Sequence, residues 1–146
     1  MTRHVWSVLC ERSELLEPSK TLSLYGVVEQ LSTFPVPADD LIGKAMVAFP
    51  LTLVCAWARA SRGTPETGKQ RVRLLGPDRR ALDVWEEELD LTRVPSLYIH
   101  RTAFPGIRYA GLGDYEFEVA SLSRGGEATV VARLPLELKA GAGATH

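Results

Sequence analysis

Hydrophobic and polar residues alternate along most of this chain. The clearest run is Asp114 to Val119, where Tyr115, Phe117 and Val119 alternate with Asp114, Glu116 and Glu118. A period of two puts successive side chains on opposite faces of a strand, here one apolar and one acidic. The pattern resumes after Arg124-Gly125-Gly126: Val130, Ala132, Leu134, Leu136 and Leu138 alternate with Arg133, Glu137 and Lys139. Two amphipathic strands joined by a glycine turn predict a hairpin with one face to bury.

The preceding residues supply further short strands. In His4–Arg12, Trp6, Val8 and Cys10 share one face and Val5, Ser7 and Leu9 the other, so cover on both sides is expected. Glu11 to Lys20 is a charged connection closed by Pro18 and Ser19. Thr21–Phe34 reads as a second strand, with Gly26 marking a bulge or a close backbone approach. Pro35 to Gly43 breaks the pattern, and Asp39-Asp40 is suited to cap a short helical turn. Ala45–Ala60 is the third strand, with Phe49, Leu51, Leu53, Cys55 and Trp57 on one face and Pro50 at a bulge or edge.

Arg62–Thr67 is a loop, and Lys69–Leu75 a fourth strand closed by the turn Gly76-Pro77-Asp78-Arg79. Ala81–Leu91 fits either period, and the hairpin-like turn before it favours a strand over a helix. Val94-Pro95 is a break, Ser96–Phe104 a sixth strand, and Pro105–Gly113 a loop. Eight short strands without a long helix predict an all-β antiparallel sandwich of seven to nine strands, immunoglobulin-like or related in topology. One domain is expected over residues 1–140, with a flexible tail at 141–146. The expected core includes Trp6, Leu24, Leu53, Trp57, Tyr115, Phe117 and Leu136.

Composition narrows the function classes. The formal net charge of -1 on 146 residues gives no global field toward nucleic acid or an anionic membrane. No apolar run reaches the ~18 residues of a spanning helix, and the first residues lack a signal-peptide pattern. A cytoplasmic protein with Cys10 and Cys55 as buried, reduced thiols is therefore expected. The chain has no Asn, and Arg outnumbers Lys 13 to 4, a bias that suits a GC-rich genome. Charge is nonetheless segregated. Arg59–Arg80 holds seven basic and two acidic residues, and Asp83–Asp90 five acidic and no basic ones. If these strands are adjacent, Lys69, Arg71 and Arg73 face Glu86, Glu88 and Asp90, fixing register and opposing edge aggregation; if they are not, the basic strand is a patch for an acidic partner.

Several short segments, in order, resemble an uncharacterised family of small, single-domain bacterial proteins. They are Val8-Leu9-Cys10-Glu11, then Leu22-Ser23-Leu24-Tyr25-Gly26-Val27-Val28-Glu29, then Phe34-Pro35, the basic strand with its Gly-Pro-Asp turn, Phe104-Pro105, Gly113 to Val119, and Val131 to Leu136. The resemblance implies a β-sandwich and carries no activity or catalytic residues. Asp78-Arg79 stands where the family has Asp-Gly, so a differently shaped turn is expected. Gly113-Asp114-Tyr115-Glu116-Phe117 also resembles the tyrosine-corner segment of immunoglobulin-type sandwiches, with Phe117 at the position of the second cysteine.

Motifs for chemistry are sparse. His4, His100 and His146 are scattered without zinc-ligand spacing, and Gly111-Leu112-Gly113 precedes a strand where a dinucleotide fingerprint follows one. No GxSxG elbow is present. Tyr98, His100, Arg101, Arg108 and Tyr109 are the candidate binding residues, lining a shallow cleft beside the Pro105 loop. No catalytic residue, metal site or cofactor is assigned. The reading that follows is a non-enzymatic binding or assembly module, acting on an unknown protein partner or on itself, with no nucleic acid and no membrane as partner. The alternative is a small-ligand binder or enzyme near Tyr98, His100 and Arg108.

Overall fold

The computed structural model describes residues 2–16, 21–61, 66–92 and 97–141. Among the described residues nine strands follow one another: β1 (Thr2–Leu16), β2 (Thr21–Val27), β3 (Gln30–Thr33), β4 (Met46–Arg59), β5 (Thr67–Leu75), β6 (Ala81–Asp90), β7 (Leu97–Arg108), β8 (Gly113–Leu122) and β9 (Ala128–Ala140). They form two sheets, ordered β2-β1-β4-β7 and β3-β9-β8-β5-β6. This is the expected sandwich, and Ala81–Asp90 is a strand. The pairing is mixed rather than wholly antiparallel, because β3 runs parallel to β9.

One expected strand divides. Thr21–Phe34 separates into β2 and β3, which lie in different sheets. Gly26 takes a left-handed conformation at φ 65°, and the Val28 N–H donates to the Leu9 carbonyl at 2.9 Å. That bend carries the chain across the sandwich, and a Cβ at Gly26 would sit 2.8 Å from the Glu11 side chain. At Pro105 the reverse correction applies. The first part of the expected loop is the continuation of β7, which runs through Pro105 to Arg108, and residues 109–112 form the connection to β8. Proline is tolerated there because β7 is an edge strand. A Cβ on Gly106 would fall 2.0 Å from the Val47 carbonyl oxygen, so only glycine fits that approach. The register of β4 against β7 shifts between Ala48 and Leu51, around Pro50.

The core lies between the sheets and is built from Leu51, Leu53, Cys55 and Trp57 of β4, Tyr115, Phe117 and Val119 of β8, Leu136 and Leu138 of β9, and their neighbours. Trp6 and Leu24, expected there, are only half-buried. Trp6 has the opposite parity to buried Leu9 and pairs across with Ala56 on the outer face of its sheet. Leu24 is on edge strand β2, with a neighbour on one side only. A 3-10 turn spans Asp39–Leu41, with both aspartates in its first turn rather than capping it.

The tyrosine corner forms as the immunoglobulin likeness implies. Tyr115 Oη accepts from the Ala110 N–H at 2.7 Å and donates to the Gly111 carbonyl at 2.6 Å. Burial raises its phenol above the ordinary value near 10, against the lowering effect of the bond from the Ala110 N–H. At the β5–β6 turn, Arg79 itself adopts the left-handed conformation that glycine favours, φ 68°. The expected connection Glu11–Lys20 is strand as far as Leu16, where β1 ends, and the expected loop Arg62–Thr67 gives way to β5 at Thr67. The rest of that connection at 17–20, the loop residues 62–65, the break at Val94-Pro95 and the tail from 142 onward lie outside the described residues.

Candidate functional site: a seam between two sheet edges

Strands β6 and β7 are edges of opposite sheets, and they meet along one side of the sandwich. Alternation aims Asp83, Trp85, Glu87 and Leu89 of β6 toward β7, and Tyr98, His100, Thr102 and Phe104 of β7 toward β6. At the centre Trp85 packs on Phe104, with ring centroids 4.6 Å apart. On one side of that pair Arg108 grips Asp83 through Nε at 3.1 Å and Nη2 at 3.2 Å. On the other, His100 Nε2 meets Glu87 Oε2 at 2.6 Å, and the Thr102 hydroxyl donates to Glu87 Oε1 at 2.8 Å.

Of the candidate residues, only Tyr98 and His100 come together, the Tyr98 hydroxyl lying 3.4 Å from His100 Nδ1. Arg108 is eight positions further along, on the order of 25 Å at strand rise. Arg101 is exposed and has the opposite parity to His100, on the outer face. Tyr109 is 2% exposed and serves the backbone: its N–H donates to Ala45 O at 2.8 Å and its carbonyl accepts from the Gly43 N–H at 2.7 Å. The expected cleft is therefore a seam. The larger cavities lie elsewhere: one of about 570 Å³ is lined by Lys69, Glu86, Glu88, Asp90 and Arg124, and one of about 510 Å³ by Val8, Val27, Asp114 and Pro135.

A histidine beside a carboxylate is the usual partnership of a general base. Here both ring nitrogens of His100 and both oxygens of Glu87 have neighbours within the seam, and the two side chains are 14% and 26% exposed. Nothing in that geometry offers a nitrogen to a substrate. Burial, then Asp90 and Glu87, raise the Tyr98 phenol above its ordinary value.

Sequence reasoning missed three polar participants. Glu87 shares a face with Trp85 and Leu89, where its charge is the only signal. Gln70 is fully buried and accepts from Trp57 Nε1 at 2.9 Å, inside the basic run that draws attention to its arginines. Ser7 donates to Cys55 Sγ at 3.2 Å and meets His4 Nε2 at 2.7 Å. Cys55 is fully buried, and desolvation pushes its thiol up to about 12, so it is no nucleophile. Desolvation likewise lowers His4, whose ring lies edge-on to Trp57 at 5.3 Å. Among the described residues, no group of three or more His, Cys, Asp or Glu side chains is placed to hold a metal ion.

The charge segregation resolves in a second direction. Strand β5 pairs with β6, with Lys69 opposite Glu88 and Arg71 opposite Glu86. Lys69 approaches Glu86 at 4.0 Å, but Arg71 and Arg73 reach the other neighbour, at 3.7 and 2.7 Å from Glu118. Arg133 of β9 meets Glu116 at 2.9 Å and Glu118 at 3.1 Å. The acidic strand β8 is thus clamped between basic residues of β5 and β9, and Glu118 is 2% exposed. A carboxylate so buried requires those partners.

The fold and this geometry define a nine-stranded β-sandwich with one side sealed by a polar and aromatic seam and one sheet face laced by ion pairs. No family model matches the chain, and no curated protein is significantly similar to it. Among the described residues, no helix is long and apolar enough to cross a membrane.

Proposed function

We propose that this protein is a non-enzymatic binding or assembly module that engages a protein partner, or another copy of itself, through the β2 side of its four-stranded sheet. The observation that carries the reading is how the strand edges differ. Of the groups that looked chemical, Tyr98, His100 and Arg108 are committed to the β6–β7 seam. On the β2 side, Leu16, Tyr25 and Val27 are 53%, 38% and 65% exposed. Exposed aromatic and aliphatic side chains beside an open edge are what a partner surface needs. The resemblance to small bacterial proteins extends the proposal to a cytoplasmic setting, where Cys10 and Cys55, both free and buried, stay thiols.

The alternative, a small-ligand binder or enzyme near Tyr98, His100 and Arg108, draws on the 2.6 Å His100–Glu87 pair. It requires that pair to open toward a ligand. The test is the mass of the purified protein by light scattering, together with the intact mass of whatever co-purifies. The module reading predicts a dimer, a larger assembly or a bound protein. A compact monomer carrying a small molecule would overturn it.

A further inference from the structure

The two outer faces of the sandwich differ in chemistry. On the five-stranded sheet the arginines are neutralised: Arg71, Arg73, Arg79 and Arg133 each lie within 3.7 Å of Glu116 or Glu118. On the four-stranded sheet, register and alternation put Trp6 and Val8 of β1, Val54 and Ala56 of β4, and Ile99 and Arg101 of β7 on the outer face. Val54 and Ala56 are fully buried there, between half-buried Trp6, Val8 and Ile99. The result is a level apolar band two strand spacings wide, about 9.6 Å. Val27, paired across with Cys10, extends it to the β2 side. Residues 3–10, 52–58 and 97–103 include no Asp or Glu. Two cations border the band: Arg3, paired across with Ala58, and Arg101, paired across with Val54. Both are exposed, and among the described residues neither has an ion-pair partner. At the far end of β1, Arg12 stacks 4.2 Å from the Tyr25 ring centroid and Glu14 accepts from the Tyr25 hydroxyl at 3.3 Å, so that end adds no net charge.

We infer that this face binds an amphipathic helix of a partner protein, apolar on the side it presents and acidic along both flanks. The inference rests on the module reading and gives the chemistry of its partner. Width, anchor and charge select that occupant. A helix is about 10–12 Å across, which fits the band, and helix on sheet is a stable two-layer packing. Trp6 is the residue type that most often anchors an interface. Arg3 and Arg101 stand on opposite sides of the band, four residues or about 13 Å apart along β4. A carboxylate on each flank of the helix, about nine residues apart, reaches one of them. A second copy of this chain would meet these arginines with its own, and a strand added at a sheet edge would leave both unanswered. A lipid surface takes apolar side chains that project into it, whereas Trp6, Val8 and Ile99 are half-buried in a flat sheet.

The experiment titrates the wild type and the double variant Arg3→Glu/Arg101→Glu against two fluorescent synthetic helices of about 18 residues. Each carries leucine on one face, with Glu on both flanks in one peptide and Lys in the other, and anisotropy reads the binding. The wild type is expected to bind the Glu helix in the micromolar range and the Lys helix at least about tenfold more weakly. The double variant is expected to show the reverse preference, which also shows that it is folded. Equal affinity of the wild type for the two helices overturns the charge assignment. A preference for the Glu helix that survives in the double variant overturns the location. Wild-type binding to phosphatidylserine–phosphatidylcholine vesicles and to neither helix overturns the helix in favour of a lipid surface. If neither helix binds and the protein purifies as a dimer or with another protein, this inference falls and the module reading stands. If neither helix binds a monomer that carries no partner, both fall.

Discussion

Cys55 shows how one buried side chain sets a measurable property of the whole protein. Its thiol, ordinarily near 9, is held up to about 12 by burial, and Glu87 acts in the same direction. Below pH 9 the folded and unfolded chains both keep the proton. Between 9 and 12 the unfolded chain releases it and the folded chain does not, so stability falls as pH rises, by up to about 4 kcal/mol for the full interval. Urea unfolding at pH 8, 9 and 10 is expected to show that decline in the wild type and a shallower one in Cys55→Ala, whose stability at pH 8 is lower because of the cavity it leaves. Equal pH slopes in the two proteins would contradict the assignment. The burial of both cysteines was legible from their apolar neighbours. The Ser7–Cys55 and Gln70–Trp57 contacts were not, because the first depends on the register of β1 against β4 and the second on how the two sheets face each other, and composition encodes neither.

Among the elements, the seam decides how the candidate residues are read. His100 and Arg108 stood out because they are polar residues in an apolar segment, and both engage carboxylates on β6. What the sequence could not supply was the adjacency of β6 and β7, which belong to different sheets and are not hydrogen-bonded neighbours. A structural seam predicts that His100→Ala and Glu87→Ala each lower stability by about 1–3 kcal/mol, since each strands the other's part-buried polar atoms. The double variant should cost less than the sum, and a denaturation cycle measures that coupling. Additive losses would show that the two side chains act separately. The β5 arginines carry a related lesson. Alternating basic residues could pair with acids on either neighbouring strand, and β8 holds the more buried ones, Glu116 and Glu118.

Over the whole molecule, the alternation in Asp114–Val119 and Val130–Leu138 was sufficient to place the β8–β9 hairpin and its buried face. The tyrosine corner followed from the same segment. The division at Gly26 was less legible, because Thr21–Phe34 is uninterrupted by proline and the change of sheet rests on one left-handed residue. That crossing matters for function, since it ends β2 after seven residues and leaves an uncharged edge at the side of the four-stranded sheet. An edge without Lys, Glu or Pro is unusual unless something covers it.

The most direct measurement is amide hydrogen exchange of Leu22–Val27 across a range of protein concentrations. If β2 is the assembly surface, its outward-facing amides exchange quickly in dilute protein and slow as the concentration rises, while those of β8, at the centre of its sheet, stay protected throughout. Exchange in β2 that stays fast and independent of concentration, in a protein that carries no partner, would contradict the account.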